Sequence, residues 1–188
     1  IVLYLYVAGV LAAPVTLATP TEESDAPLEP ELRHQEIARA VYHLADRFHY
    51  GQTAFDDDLS GKILDRYLES LDGNRQYFLA SDIASFEAYR KSIDDAVREG
   101  EVNPAFDIFG VYRERSRERV KYAISLLDEE PDFTIDEDYV FDRSDMPWAA
   151  DRAQLDDMWR KRVKNDALGL TLAGKEWDET REILQKRY

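Results

Sequence analysis

The stretch SLDGNRQYFLASDI, residues 70–83, joins two apolar segments of helical spacing through a turn that contains Gly73. The segment before it, residues 59–71, places apolar side chains every three or four positions, and residues 83–97 repeat this pattern after the turn. The stretch therefore predicts a corner between two helices. Because an Arg and two Asp residues lie among its aromatic residues, it is also the first place to search for a reactive site.

Apolar stripes at helical spacing continue on both sides of this corner. Ser81 is a natural N-cap for the helix that follows the turn, and Asn103 with Pro104 predicts the start of a long helix that ends near Pro131. An upstream helix is indicated by a stripe at Ile37, Val41, Leu44, Ala45 and Phe48.

One segment interrupts the helical pattern. Residues 131–148, PDFTIDEDYVFDRSDMPW, are rich in Pro, Asp and aromatic residues, which predicts an ordered loop with a short extended piece at Tyr139 to Phe141. Two further helices follow it. The sequence as a whole predicts a mostly α fold, an irregular multi-helix domain of about six helices with one ordered loop near residues 131–148.

The charge of the chain argues against nucleic acid as a partner. Its 188 residues include 39 acidic and 24 basic ones, for a net charge of -15, and such a surface repels phosphate backbones. The densest basic runs are RERSRERVK at 113–121 and WRKRVK at 159–164. Both are flanked by Glu or Asp, which is typical of solvated helix faces.

The first residues have the apolar length of a signal-peptide core. Residues 1–18, IVLYLYVAGVLAAPVTLA, carry no charge and end in small residues that suit cleavage after Ala18, with cleavage after Ala12 as another option, although a basic start is missing. We interpret them as a truncated signal peptide. A retained anchor is the alternative, so membrane contact is expected only through an uncleaved signal. Residues 19–30 predict a disordered linker, and residues 31–188 a helical domain.

The chain offers few residues for metal or cofactor chemistry. It has no cysteine, which excludes a disulfide scaffold, a thiolate zinc site and a cysteine nucleophile. His43 and His49 are six apart on one predicted helix and face different ways, and His34 has no partner at metal-ligand spacing. The run 56–58, three Asp residues, lacks the distal Glu of a calcium loop and suits a helix N-terminus with one Asp as cap. We expect neither a metal nor a cofactor.

No arrangement of residues for nucleophilic catalysis is present either. The sequence contains no Gly-x-Ser-x-Gly elbow and no Gly-rich phosphate loop. Ser60 and Lys62 form the closest Ser/Lys pair, but two positions apart on a helix they point in different directions. We therefore assign no catalytic residue to this chain. Its residues alone predict an exported helical interaction domain.

A series of longer strings carries a family resemblance. They are FD (55–56), KILDRYLESLD (62–72), YFLASDI (77–83) with Phe86, RERVKYAISLLDEEPDF (117–133), FDRSDMPW (141–148), LDDMWRKRVKNDALGLTL (155–172) and GKEWDETREILQKRY (174–188). In this order and spacing they resemble the N-terminal helical domain of the tail-specific proteases, also called carboxy-terminal processing proteases, of Gram-negative envelopes. The resemblance covers about residues 35–188.

This resemblance implies a parent enzyme of the periplasm. Such a parent is a serine endopeptidase with a Ser/Lys dyad, and a PDZ domain grips the apolar C-terminal tails of its protein substrates by strand addition. Both parts lie beyond Tyr188, where the last predicted helix is still running, so we interpret the chain as a fragment. The helical domain is expected to frame and gate the proteolytic site and to offer a surface to an envelope adaptor protein. The alternative is a non-catalytic helical protein-binding module of the envelope.

Charged residues among aromatic ones fit such a scaffold role. Partly buried charges need partners, so we expect ion pairs that fix the helix corners. The residues concerned are Asp65, Arg66, Asp72, Arg75, Asp82, Asp142 and Arg143.

Overall fold

The structure, a computed structural model, describes residues 28–48 and 55–188. Its helices are α1 (Leu32–Phe48), α2 (Asp57–Asp72), α3 (Ala80–Phe86), α4 (Ile93–Glu99), α5 (Asn103–Ser125), α6 (Arg152–Leu172) and α7 (Trp177–Arg187), with short 3-10 turns at Glu87–Tyr89 and Leu126–Asp128. Over these ranges there is no strand, only one isolated bridge between Leu79 and Ala149. The predicted mostly α fold and the loop before α6 are confirmed.

The predicted signal peptide and most of the predicted linker lie outside the described residues, as does His49. In the part of the chain that the structure describes, no helix has the length and apolar character that a membrane span requires.

The helix predicted after the corner is divided into two. It runs as α3, a 3-10 turn and α4, so residues 28–48 and 55–188 contain seven α-helices rather than about six. The break at residues 90–92 lets the backbone N–H of Ile93 donate to the buried hydroxyl of Ser60, at 2.8 Å. The apolar stripe still serves one core, because Phe86 and Ile93 lie in the same buried cluster.

Two buried clusters form the core, and the corner at residues 70–83 joins them. The first contains Leu64, Leu68, Phe78, Phe86, Ile93 and Ile108. The second contains Ala123, Leu127, Ala149, Leu155, Trp159, Val163, Ala167 and Leu184. Phe78 lies in the first cluster, whereas its neighbours Tyr77 and Leu79 pack against the second. A few residues of the turn thus connect both halves of the structure.

The apolar stripe expected on α1 does not face the core. Ile37, Val41 and Leu44 are 59%, 54% and 60% exposed. The helix instead packs on α4 through a neighbouring, more polar face, where Arg39 donates to the carbonyl of Glu99. The contact is close because Gly100 has a left-handed φ of 75° and a Cβ there would lie 2.8 Å from a backbone oxygen of α1. Tertiary packing has overridden the helical stripe.

The loop between α5 and α6 is held by charge. Glu137, with a side chain only 16% exposed, accepts hydrogen bonds from Arg160 and Lys164 of α6. The hydrogen bonds from Arg160 and Lys164 lower the pKa of Glu137 to about 2. The extended piece predicted at Tyr139 to Phe141 belongs to no strand, and there the two rings pack edge to face.

We expect the ion pairs of Glu137 with Arg160 and Lys164 to make the free energy of unfolding depend on pH. Because the folded-state pKa is depressed, its contribution is complete above the ordinary value of 4.5 and is lost as the pH falls towards 2. Urea unfolding of the wild type should show this loss across that window. A Glu137→Gln variant should be less stable at pH 6 and show a smaller fall below pH 4.5. Equal pH dependence in both proteins would contradict the assignment.

Candidate functional site

The corner at residues 70–83 is built around the carboxylate of Asp72, which is 3% exposed at the end of α2. It accepts hydrogen bonds from the backbone N–H groups of Gln76, Tyr77 and Phe78, at 2.7, 2.9 and 2.9 Å. Burial raises the pKa of Asp72, against the opposing effect of these three donors and of Arg75. The carboxylate therefore closes the turn from within, as a backbone acceptor rather than as half of an ion pair.

Arg75 completes the turn in an unusual backbone conformation. Its φ of 52° lies in the left-handed region, which a non-glycine residue enters at a cost of about 1 kcal/mol. Its guanidinium lies 5.3 Å from the centre of the Trp148 ring and donates to the carbonyl of Met146. The side chain thus ties the corner to the end of the loop before α6.

Substitution of Arg75 should separate these two effects. Arg75→Ala is expected to destabilise the fold by about 1–2 kcal/mol, because the cation–π contact and the hydrogen bond are lost while the strained φ remains. Arg75→Gly loses the same contacts but relieves the strain, so it should be the more stable of the two by about 0.5–1 kcal/mol. The free energies of unfolding in urea give both values. Greater stability of the alanine variant would show that the backbone strain is unimportant.

The start of α3 is fixed by Asp82, which is 9% exposed. Its carboxylate accepts the N–H of Leu79 at 2.9 Å and binds Arg115 of α5 through two hydrogen bonds of 2.9 Å. Burial alone would raise the pKa of Asp82, but Arg115 and the backbone donor hold it below its ordinary value. Leu79, not Ser81, is the N-cap residue, so the cap predicted at Ser81 is wrong. The pair that Asp82 forms with Arg115 is one of the ion pairs expected at the helix corners.

Gln76 connects the corner to α6. Its backbone carbonyl accepts the indole N–H of Trp159 at 2.7 Å, and its side-chain oxygen accepts a hydrogen bond from Arg162 at 2.5 Å. Trp159 is buried in the second cluster. The polar atoms of the turn are therefore bound on the side of α6 as well.

An open cleft of about 770 Å³ lies beside the corner, between α2 and residues 144–148. It is lined by charges of both signs, and some of them form ion pairs. Arg90 binds Asp65 at 2.9 Å and also binds Glu87. Arg66 reaches only Glu69, and its side chain is 80% exposed, so it is a surface charge rather than one embedded in a corner.

The loop supplies the last two predicted corner charges. Asp142 accepts hydrogen bonds from the backbone N–H and the hydroxyl of Ser144, at 3.0 and 2.7 Å. The backbone N–H of Arg143 donates to the side chain of Asn74 at 2.7 Å, and its side chain donates to the sulfur of Met146. Asp142 and Arg143 thus shape the loop through hydrogen bonds within it and to the corner.

The residues considered as nucleophiles or metal ligands lie in the core, at a helix cap or on the surface. Ser60 is fully buried and its hydroxyl oxygen accepts from Ile93, while Lys62 lies on the surface. Asp56 is the N-cap of α2, as predicted, and accepts from the N–H of Leu59 at 3.0 Å. Within the described ranges, no three His, Cys, Asp or Glu side chains come together as a metal site. Ser60 and Asp56 therefore have packing and capping roles.

Sequence reasoning missed the arginines that pair inside the domain. The run RERSRERVK was interpreted as a solvated face, yet Arg119 within it is 3% exposed and binds Asp156, and Arg115 binds Asp82. The two arginines are four apart, on one side of α5. That spacing was visible in the sequence, but their partners are 33 and 37 positions away.

Comparison with known proteins shows the family to which the chain is similar. The family model described as the tail specific protease N-terminal domain matches residues 40–188. A tail-specific protease of Haemophilus influenzae is 40% identical over 141 residues, which cover 74% of this chain. The chain spans about a fifth of the length of that curated relative, since the match covers 20% of it.

Proposed function

Because the chain belongs to the tail-specific protease family and matches the N-terminal domain of its members, we propose that it is the scaffold and gate of a larger peptidase. The single observation that carries this proposal is the corner at residues 70–83. There Asp72, Asp82 and Gln76 are all bound to backbone or to arginine side chains. A rigid corner that joins two core clusters suits a framing role.

The chemistry is proposed to lie in the rest of the parent protein. The relative extends well beyond the matched region, which occupies 20% of its length. We assign to that remainder a serine-type peptidase core with a Ser/Lys dyad, in which desolvation keeps the lysine neutral so that it accepts the serine proton. The chain described here would then be inactive on its own.

The proposed substrates are proteins with apolar C-terminal tails, bound outside this chain by strand addition to a PDZ domain. The proposed location is the periplasm of a Gram-negative bacterium, supported by the apolar, uncharged residues 1–18 at the start of the sequence. An envelope adaptor is proposed as a further partner.

The gating role can be tested in the full-length parent with and without residues 31–188. Cleavage rates should be measured on a folded protein with an apolar C-terminal tail and on a short peptide with the same tail. A gate predicts that the deletion changes the ratio of the two rates, because only the larger substrate needs a framed entry. A matched control replaces the exposed Arg66 by Ala. An unchanged ratio in an active, folded deletion protein would contradict the proposal.

A non-catalytic helical binding module of the envelope is the second candidate. The exposed apolar row Ile37, Val41 and Leu44 on α1 favours it, since such a row suits contact with another protein. Sequencing the reading frame beyond Tyr188 decides between the two. A peptidase core in the continuation supports the first function, and a stop codon there supports the second.

A further inference from the structure

A short piece of the loop between α5 and α6 has the character of a β-strand that has no neighbouring strand. Residues 136–140 run without a turn or a bend, between bends at Ile135 and Phe141. Exposure alternates along this piece, because Glu137 and Tyr139 are partly buried while the other three residues are exposed. Alternation with a period of two is what a strand shows when one of its faces packs on the domain.

The inner face and both ends of this segment are fixed to the domain. Glu137 accepts hydrogen bonds from two basic side chains of α6. One of them, Lys164, also donates to the carbonyl of Ile135 at 2.8 Å. At the other end, the side chain of Asn74 donates to the carbonyl of Phe141 at 3.0 Å. The segment is therefore held in place before a partner binds, so binding does not have to order it.

The backbone of the segment itself is unpaired. The N–H groups of residues 136–141 and the carbonyl groups of residues 136–140 form no hydrogen bond with another part of the described chain. In a strand, the N–H and the carbonyl of one residue point to the same edge, and the next residue points to the opposite edge. Because the carbonyls of Ile135 and Phe141 bind the domain, the edge of residues 136, 138 and 140 is the open one. An open edge is a template for another strand.

The exposed side chains of this edge are two carboxylates followed by an apolar group. Asp136 and Asp138 are exposed and form no ion pair within the described ranges. Val140 is 44% exposed. Like charges directly opposite each other destabilise a pair of strands, so the edge disfavours a second copy of itself. It suits a strand of opposite charge.

We propose that residues 136–140 bind an extended polypeptide segment of another protein by strand addition, with basic side chains of that segment opposite Asp136 and Asp138 and an apolar one opposite Val140. The backbone edge supplies affinity, and the three side chains select the partner by charge and polarity. A basic amphipathic helix is also attracted to acidic and apolar side chains, but its backbone groups are bonded within the helix and cannot pair with the edge. The proposal does not depend on the proposed peptidase function.

Fluorescence anisotropy with the 188-residue chain tests the proposal. The probe is the labelled peptide Lys-Thr-Lys-Thr-Val-Thr-Lys-Thr-Lys, which reads the same in both directions and so fits a parallel or an antiparallel partner. It should bind more tightly than the same peptide with Glu in place of Lys, and more weakly as salt is added. Methylation of every second backbone nitrogen blocks one edge of the peptide. Of the two peptides that can be methylated in this way, one should lose binding and the other should keep it.

Variants of the chain test the edge directly. Val140→Pro removes one N–H group while it keeps an extended backbone, and it should weaken binding by about tenfold. Asp136→Lys with Asp138→Lys should weaken binding by about tenfold or more. The matched control is Glu36→Lys with Asp46→Lys, which makes the same charge change at exposed positions of α1 and should leave binding within about twofold. Circular dichroism melts establish that each variant is folded.

Several results would overturn the proposal. Absence of binding by the Lys peptide, or equal weakening in the two double variants, would show that the edge does not select a basic partner. Undiminished binding by both methylated peptides would show attraction between side chains alone. Loss of binding by both methylated peptides would indicate a bound form other than a strand at one edge.

Discussion

Asp72→Ala is expected to destabilise the protein by about 3 kcal/mol, because it leaves two buried backbone N–H groups and one partly buried one without an acceptor. The turn then has no internal partner, and the link between α2 and α3 loosens. The free energy of unfolding in urea measures the effect. Asp72→Asn keeps one carbonyl oxygen in place and should recover part of the loss.

The matched control for this experiment is Asp65→Ala on the same helix. Asp65 pairs with Arg90, but its side chain is 62% exposed, so its removal should cost no more than about 0.5 kcal/mol. If both alanine variants lost the same small amount, water would be able to replace the Asp72 carboxylate. The corner would then not be held by it.

Phe78→Ala is expected to have the largest effect of any substitution in the corner, about 3–5 kcal/mol. The side chain is fully buried, and its ring lies 5.4 Å from that of Phe86, 5.9 Å from Tyr112 and 6.0 Å from Trp148. Its removal leaves a cavity where α3, α5 and the loop before α6 meet. Thermal and urea unfolding should both detect the loss.

Phe141→Ala is the control, because this ring is 69% exposed and its truncation should change stability by about 0.5 kcal/mol or less. A small effect of Phe78→Ala would mean that the neighbouring rings close over the cavity. In that case the corner would not join the two clusters in the way that the packing indicates.

The two substitutions also bear on the proposed function. If the domain frames a proteolytic site in the parent, a corner loosened by Asp72→Ala should alter cleavage of folded substrates more than cleavage of short peptides. Equal loss for both substrates would indicate damage to the whole parent rather than to its entry.

The sequence by itself determined the features that depend on near neighbours along the chain. Helical spacing, the cap at Asp56 and the Pro- and Asp-rich segment 131–148 were enough to predict most helices and the loop. Each of these signals acts within one or two turns. The long strings around the corner also identified the family. They did not show what the charged residues of the corner bind.

The tertiary structure alone decided which side chains are buried and what they bind. Asp72 becomes a backbone acceptor because the chain reverses around it, and Asp82 meets an arginine 33 positions away. Ile37 lies in solvent because α1 packs through a neighbouring face onto Gly100. Helical spacing places residues on one side of a helix but does not determine which side another helix will cover, so burial depends on contacts between distant parts of the chain.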